Sequence, residues 1–467
     1  MNRITLVVIA VFCLCGPLVS AADATKPNII LILADDIGLP GFGCTGGIYK
    51  TPNIDALAVG GTRFDYCFSA PVCGPSRAML LTGRYAFRTG VKDNGLGPAA
   101  TPEKDGCVAQ LMKQAGYATA VAGKWRQLSH LRTKEEGAKW GFDEFMIWGA
   151  GQLEEGESKA GKKIKKADGT KGKPGRYWDA EYNHNGRAVV GLKEKYGPDV
   201  LQDFVLDFAR RHKDGPFFIY YPTPLIHSPI QPTPDSKSAD GEKKKDKAKE
   251  KGKGKGNGLS ERSEYAQNIA YLDKQIGQLA AELDKLGIRQ NTLILFTGDN
   301  GSVPTGTVNG RVIDGSKHTL KEGGSRVPLI ANWPGTTPAG VVSKDLTDFS
   351  DILPTCAALA GVSVPTVRKI DGHSLAPQLL GKSSQPREWA YVQLGENRYL
   401  RTERFKLTGD GELFDMKDAP YQQIPVPADS TDAEAKAART RLQTVLDQMR
   451  QEDETKTTAK KRKKAKT

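Results

Sequence analysis

Residues able to do chemistry fall in a few short stretches of this chain. The densest reads Ala70-Pro71-Val72-Cys73-Gly74-Pro75-Ser76-Arg77 and then turns apolar through Ala78-Met79-Leu80-Leu81-Thr82 before Gly83. Pro75 has no N–H and a preset φ, so it suits the first turn of a helix that Ser76 to Leu81 continues and Gly83 ends. Cys73 then lies at the N-terminal end, where free N–H groups favour negative charge, with Arg77 one turn on along the same side. The pattern describes an anion-binding cradle holding a sulfur nucleophile. Its plainer alternative is a reduced, buried cysteine near a helix start.

Two further stretches offer oxygen ligands. Asp35-Asp36-Ile37-Gly38 follows the apolar run Pro27 to Ala34, and Asp299-Asn300-Gly301 follows Thr292-Leu293-Ile294-Leu295-Phe296-Thr297-Gly298. Continuous β-branched runs of this kind are expected of buried parallel strands. In doubly wound α/β sheets, ligands collect beyond the carboxyl ends of such strands. One Asp-Asp pair alone reads as a turn or helix cap; two pairs after two buried strands read as a metal site. Asp35, Asp36, Asp299 and Asn300, with no Cys/His cluster beside them, suit a hard cation such as Ca²⁺ or Mg²⁺ rather than zinc.

The elements that must position these groups are α/β in type. Gly116 to Ala122 predicts a short strand delivering Lys124, and Pro216 to Tyr221 another, followed by a proline-rich loop with His227. Tyr265, Ile269, Leu272, Ile276, Leu279, Leu283 and Leu286 recur at helical spacing up to Gly287. Lys317 stands in Asp314-Gly315-Ser316-Lys317-His318, ahead of Glu322-Gly323-Gly324. Taken singly, a loop lysine or histidine is ordinary surface.

Taken together and in order, these segments resemble the type I sulfatases of the alkaline-phosphatase-like superfamily, over about residues 27 to 420. Cys73-Gly74-Pro75-Ser76-Arg77 with Leu81-Thr82-Gly83 resembles the family signature, and Gly116 to Trp125 the second signature. The resemblance implies a large mixed, mostly parallel sheet flanked by helices, with a small C-terminal α+β subdomain around Asn397 to Asp415. It implies that Cys73 is oxidised to Cα-formylglycine by a maturation enzyme, and that one Ca²⁺ is held by Asp35, Asp36, residue 73, Asp299 and Asn300. Arg77, Lys124 and Lys317 would clamp the sulfuryl group, and His227, with or without Lys317, would protonate the leaving oxygen. One departure stands out. The family's Gly-Lys-Trp-His is here Gly123-Lys124-Trp125-Arg126, with the next histidine at His130, and arginine stays protonated and cannot act as a base. A phosphoesterase of the same superfamily, or a catalytically weak polyanion-binding protein, is the competing reading.

Composition bounds the rest. Met1-Asn2-Arg3, an apolar run to Val19 and small residues at Ser20-Ala21 describe a secretory signal peptide over 1–21, too short and broken by Gly16-Pro17 for a membrane span. A secreted or periplasmic protein follows, with no retained membrane span. The catalytic domain is placed at 22–375, the C-terminal subdomain at 376–450 and a disordered basic tail at 451–467. The net charge of +13 is local: segments 159–173, 237–255 and 456–466 together carry +18, leaving the remainder at −5. Such Lys-rich segments read as solvated loops and a tail, and without interleaved aromatics they do not suggest nucleic acid. The substrate class implied is a sulfated small molecule, oligosaccharide or polysaccharide. Outside the leader and residue 73, Cys44, Cys67, Cys107 and Cys356 are too few for a disulfide framework.

Overall fold

The computed structural model describes residues 26–96, 99–125, 128–148, 175–236 and 258–464. The leader, Arg126 and the Lys-rich runs 159–173 and 237–255 lie outside the described residues. The strands, in chain order, are β1 Asn28–Ala34, β2 Thr62–Phe68, β3 Ala118–Gly123, β4 Glu144–Trp148, β5 Tyr182–His184, β6 Arg187–Val189, β7 Phe217–Tyr221, β8 Thr292–Gly298, β9 Thr307–Val308, β10 Arg311–Val312, β11 Arg326–Asn332, β12 Val341–Ser343 and β13 Thr347–Asp348. A C-terminal set follows: β14 Ala390–Leu394, β15 Asn397–Arg401, β16 Phe405–Thr408, β17 Leu413–Asp415 and β18 Ile424–Val426.

Among the described residues the main sheet has the order β12-β2-β11-β8-β1-β7-β3-β4-β5-β6, with β13 also on β2. The block β8-β1-β7-β3-β4 is parallel throughout, and β11 runs against both β8 and β2. This is the mixed, mostly parallel sheet that the resemblance implies, and β1 and β8 are the buried parallel strands that the apolar runs predict. All seven residues of β1 and of β8 are buried, because both faces of the sheet are covered.

Alternate residues of β1 feed two cores. Ile29, Leu31 and Leu33 pack on one face with Ala78 to Leu81 of the helix Cys73–Thr82. Ile30, Ile32 and Ala34 pack on the other with Ile269, Leu272, Ile276 and Leu279 of the helix Gly258–Lys285 and Phe204, Val205 and Phe208 of the helix Gly197–Arg211. The C-terminal strands form one antiparallel sheet, β14 to β18 in sequence order. Its Tyr391, Leu400, Leu407 and Leu413 join Leu442 and Leu446 in the first of those cores, so the subdomain shares its apolar interior with the catalytic part.

The helix Ala433–Lys464 runs on through residues 451–464, which composition alone assigns to a disordered tail. That stretch has no Gly or Pro and is rich in Lys with two Glu, so nothing in it stops a helix already nucleated by packed turns. Among the described residues, no helix is long and apolar enough to cross a membrane. Cys44, Cys67, Cys73, Cys107 and Cys356 are all free thiols.

Candidate active site

The parallel register brings the chemistry together. Ala34 of β1 pairs with Gly298 of β8, so Asp35 and Asp299 leave the sheet side by side. β3 ends at Gly123 on the same edge and delivers Lys124; β7 ends at Tyr221 and delivers the loop to His227. β2 leads at this edge into Ser69 to Val72 and the helix Cys73–Thr82, whose end is the left-handed Gly83. β11 runs the other way, so the segment before it, carrying Lys317, reaches the edge as well. Gly298 is needed at this crossing: a Cβ there would stand 1.8 Å from the Ile37 carbonyl oxygen.

Successive side chains of an extended strand point to opposite faces. Asp36 escapes that rule by a left-handed φ of 61°, and Asp35 and Asp36 can then serve one cluster. Asp299 Oδ1 accepts the Asp36 N–H at 2.9 Å, and Asn300 Nδ2 donates to Asp36 Oδ1 at 3.0 Å. Lys124 Nζ lies 3.0 and 2.8 Å from the two oxygens of Asp35. Lys317 Nζ lies 2.6 Å from Asp36 Oδ1, and His227 Nε2 is 3.8 Å from Asp36 Oδ2. Arg77 does not project into open space. Its guanidinium is wholly buried, with Nη2 at 2.7 Å from Asp299 Oδ2 and 3.5 Å from Asp35 Oδ2.

Burial and crowding set the titration of these groups. Burial, reinforced by the Asp35 charge, pushes the Asp299 carboxyl up to about 6. Burial opposes ionisation of Asp35 too, but Lys124 and Arg77 outweigh it and hold that carboxyl below its ordinary range. The Cys73 thiol is raised, chiefly by burial and also by Asp299 and Asp35, which keeps it protonated. Lys317 is raised by Asp36 against the effect of burial, and His227 is lowered, mainly by burial.

The donor set suits a hard cation. Single ligand atoms of Asp35, Cys73 and Asp299 lie within 4.8 Å of one another, as do those of Asp35, Asp36 and His227. Asn300, whose Nδ2 donates to Asp36, has a buried Oδ1 without a hydrogen-bond partner, an oxygen left able to take a cation. Three carboxylates there face three cationic groups, Arg77, Lys124 and Lys317. A divalent ion added to that balance makes the site net positive, as an anionic ester requires.

Two neighbours of the site carry no sequence signal of their own. Arg176, outside every motif, places Nη1 on the His227 ring Nδ1 and donates to the Ser228 carbonyl at 2.9 Å, while its guanidinium lies 5.0 Å from the centre of the Trp148 ring. Asn94, in the loop after the short helix Ala86–Thr89, meets Cys73 and Gly74. His130 is exposed, with its ring 3.4 Å from Arg132 Nη2.

Comparison with known proteins agrees with this geometry. A family model described as Sulfatase matches residues 27–362. Human arylsulfatase D is 31% identical over 444 residues, covering 79% of this chain and 71% of that protein. The N-acetylgalactosamine-6-sulfatase of Canis lupus familiaris is 33% identical over 385 residues, covering 78% and 67%. Among solved structures, Ps i-CgsB in complex with k-i-k-neocarrahexaose superposes with a TM-score of 0.71 at 25% identity, covering 91% of this chain and 93% of that one. The PsFucS1 sulfatase from Pseudoalteromonas sp. superposes with a TM-score of 0.65 at 26% identity, covering 87% and 82%. With its mixed sheet, its carboxylate cluster at the strand ends and these relatives, the chain belongs to the sulfatase family, hydrolases of sulfuric esters with the alkaline-phosphatase-like fold.

Proposed function

We propose that this chain is an exported enzyme that removes sulfate from sulfated carbohydrate, with residue 73 matured to formylglycine and one calcium ion held by Asp35, Asp36, Asp299, Asn300 and residue 73. The observation that carries the reading is Cys73 itself, buried at a helix N-terminus against Asp35 and Asp299. A reactive thiolate needs an electropositive, partly exposed setting. Here burial, with Asp299 and Asp35, outweighs Lys124 and Arg77 and raises the thiol, which suits a side chain used after oxidation and beside a cation.

The ion would sharpen the nucleophile and neutralise charge on the sulfuryl oxygens. The aldehyde at residue 73, once hydrated, would supply two hydroxyls, one to attack sulfur and one whose loss of a proton re-forms the aldehyde and releases sulfate by C–O cleavage. The protein's own groups do the rest. Lys124 and Lys317 present ammonium groups to the sulfuryl oxygens from opposite ends of the Asp35–Asp36 pair. His227, with or without Lys317, would give the proton on its Nε2 to the alcohol oxygen as the S–O bond breaks. Arg77 sits beneath the carboxylates and fixes their positions. The carbohydrate assignment rests on relatives whose names and titles specify an N-acetylgalactosamine-6-sulfatase and a neocarrahexaose complex. Export rests on the leader.

The test begins with protein made alongside a formylglycine-generating enzyme. The mass of the tryptic peptide Phe64 to Arg77 should report the aldehyde at residue 73. Turnover should then favour sulfated mono- and oligosaccharides over matched phosphates and vanish in C73A. An unmodified thiol in active protein, or faster phosphate release, overturns the proposal.

A further inference from the structure

Asn94 belongs to an exposed loop, yet its side chain reaches the centre of the site. Its Oδ1 accepts the Gly74 N–H at 2.8 Å and lies 3.4 Å from Cys73 Sγ, so one oxygen receives both an N–H of the helix's first turn and the hydrogen-bond donor carried by residue 73. Gly74 makes this approach possible. A Cβ at that position would stand 3.0 Å from Asn94 Oδ1 and 3.2 Å from both Asn94 Cα and the Asp93 carbonyl oxygen. The missing side chain therefore lets the loop backbone lie directly on the first turn.

The loop is also tied from behind. The Lys92 carbonyl accepts the Gly395 N–H at 2.8 Å, and Lys92 Nζ lies 3.2 Å from Glu396 and 3.0 Å from Asp453. Gly395 and Glu396 form the turn between β14 and β15, and Asp453 belongs to the helix Ala433–Lys464. The C-terminal subdomain thus holds the loop against residue 73 from two elements.

We infer that Asn94 is a catalytic residue of this enzyme, whose Oδ1 orients the donor at residue 73: the thiol before maturation, a hydroxyl after it. The Asn94 side chain is an acceptor at Oδ1 only, so it fixes a donor in place and cannot remove its proton. The role is orientation of the nucleophile, which should appear in kcat and not in substrate affinity. It rests on residue 73 being the nucleophile, as proposed above.

Two variants separate the acceptor from the space it fills. N94L keeps the bulk and loses the acceptor; N94D keeps an acceptor at a helix N-terminus, where negative charge is tolerated. In unmatured protein, exchange of the Gly74 amide hydrogen, followed by NMR, should speed up about tenfold or more in N94L and stay near wild type in N94D. In matured protein, kcat on a sulfate ester should fall about tenfold in N94L with KM within about twofold, and N94D should recover most of the loss. Normal Gly74 exchange and kcat in N94L overturn the inference, as does an equal fall in both variants. Wild-type protein with no aldehyde and no sulfatase activity would instead bring down the reading of residue 73, whatever the exchange data show.

Discussion

Arg77 grips a single oxygen of Asp299: Nε stands 2.8 Å and Nη2 2.7 Å from Oδ2, which leaves Oδ1 for the Asp36 N–H. An arginine four residues after the signature cysteine is thereby committed to the carboxylates and not to open solvent. One such pair joins positions 222 apart in the chain and sets the distance between the helix Cys73–Thr82 and β8.

Removing this guanidinium leaves the buried Asp299 carboxylate without an ion-pair partner among the described residues, while Asp35 keeps Lys124. R77Q should lower the unfolding free energy of calcium-free protein by about 3–5 kcal/mol, the usual cost of breaking a buried pair from one side. Denaturant unfolding measures it. Added calcium should restore part of the loss by supplying the missing positive charge. A loss under about 1 kcal/mol would mean that Arg77 is not what holds the cluster together.

Calcium should also stabilise the unaltered chain, since an ion that binds only the folded state adds about 2.7 kcal/mol at a hundredfold excess over Kd. Asn300 Oδ1 is a buried oxygen at the cluster with no hydrogen-bond partner, so N300A should lose most of that calcium-dependent gain, beyond the fall it shows in chelator from losing the Asn300–Asp36 hydrogen bond. Paired thermal melts with calcium and with chelator decide the matter. A calcium response equal to wild type would remove Asn300 from the ligand set.

How far the chain announced this arrangement varies from residue to residue. Asp35 and Asp299 were legible because β1 and β8 are continuous apolar runs, and the edge beyond a buried parallel strand is where ligands gather. Lys124, His227 and Lys317 were legible only through their order along the chain, since each alone looks like surface. Arg77 was legible as a residue, but its pairing with Asp299 was not, because that partner follows a distant strand. Asn94 and Arg176 left no trace: both act from irregular segments whose path is set by contacts with the C-terminal sheet and with Trp148, and no local pattern encodes those contacts. The overrun of the last helix through 451–464 has the opposite cause, a local helix preference that a count of charges hides.

Lys406 offers a stability prediction with a definite sign. Burial pulls its ammonium down from the ordinary 10.5 to about 8. Below pH 8 the folded and unfolded chains both hold the proton, so burying the charge is a constant cost. Between pH 8 and 10.5 only the unfolded chain holds it, and rising pH then favours the fold, by up to about 3 kcal/mol. Relative to K406M, wild-type protein should therefore gain stability as pH rises from 8 towards 10.5. Denaturant midpoints of both proteins at four pH values test this. A difference that stays constant with pH would show that Lys406 is not desolvated.

Strands β15 and β16 reach the segment after Lys317 by a relay. Lys406 donates to the Leu320 carbonyl, Ser325 Oγ and Tyr399 OH share a hydrogen bond of 2.5 Å, and Arg401 Nε donates to Glu322 Oε1 at 2.9 Å. Glu322 is wholly buried, and although burial resists its ionisation, Arg401 and then Arg326 hold the carboxyl below its ordinary range. The segment from Leu320 to Ser325 is thus pinned to β15 and β16, and Lys317 stands three residues before it. R401M would leave Glu322 with Arg326 at 3.2 Å as its remaining ion-pair partner among the described residues. The segment should loosen and Lys317 should meet the sulfuryl group less often. KM for a sulfate ester should rise about tenfold with kcat changed less than about threefold, because the lost contribution is to binding in ground and transition states alike. R401K, which keeps the charge without the fork, should recover part of that rise. A fall in kcat with KM unchanged would place Arg401 in support of the chemical step and not of Lys317.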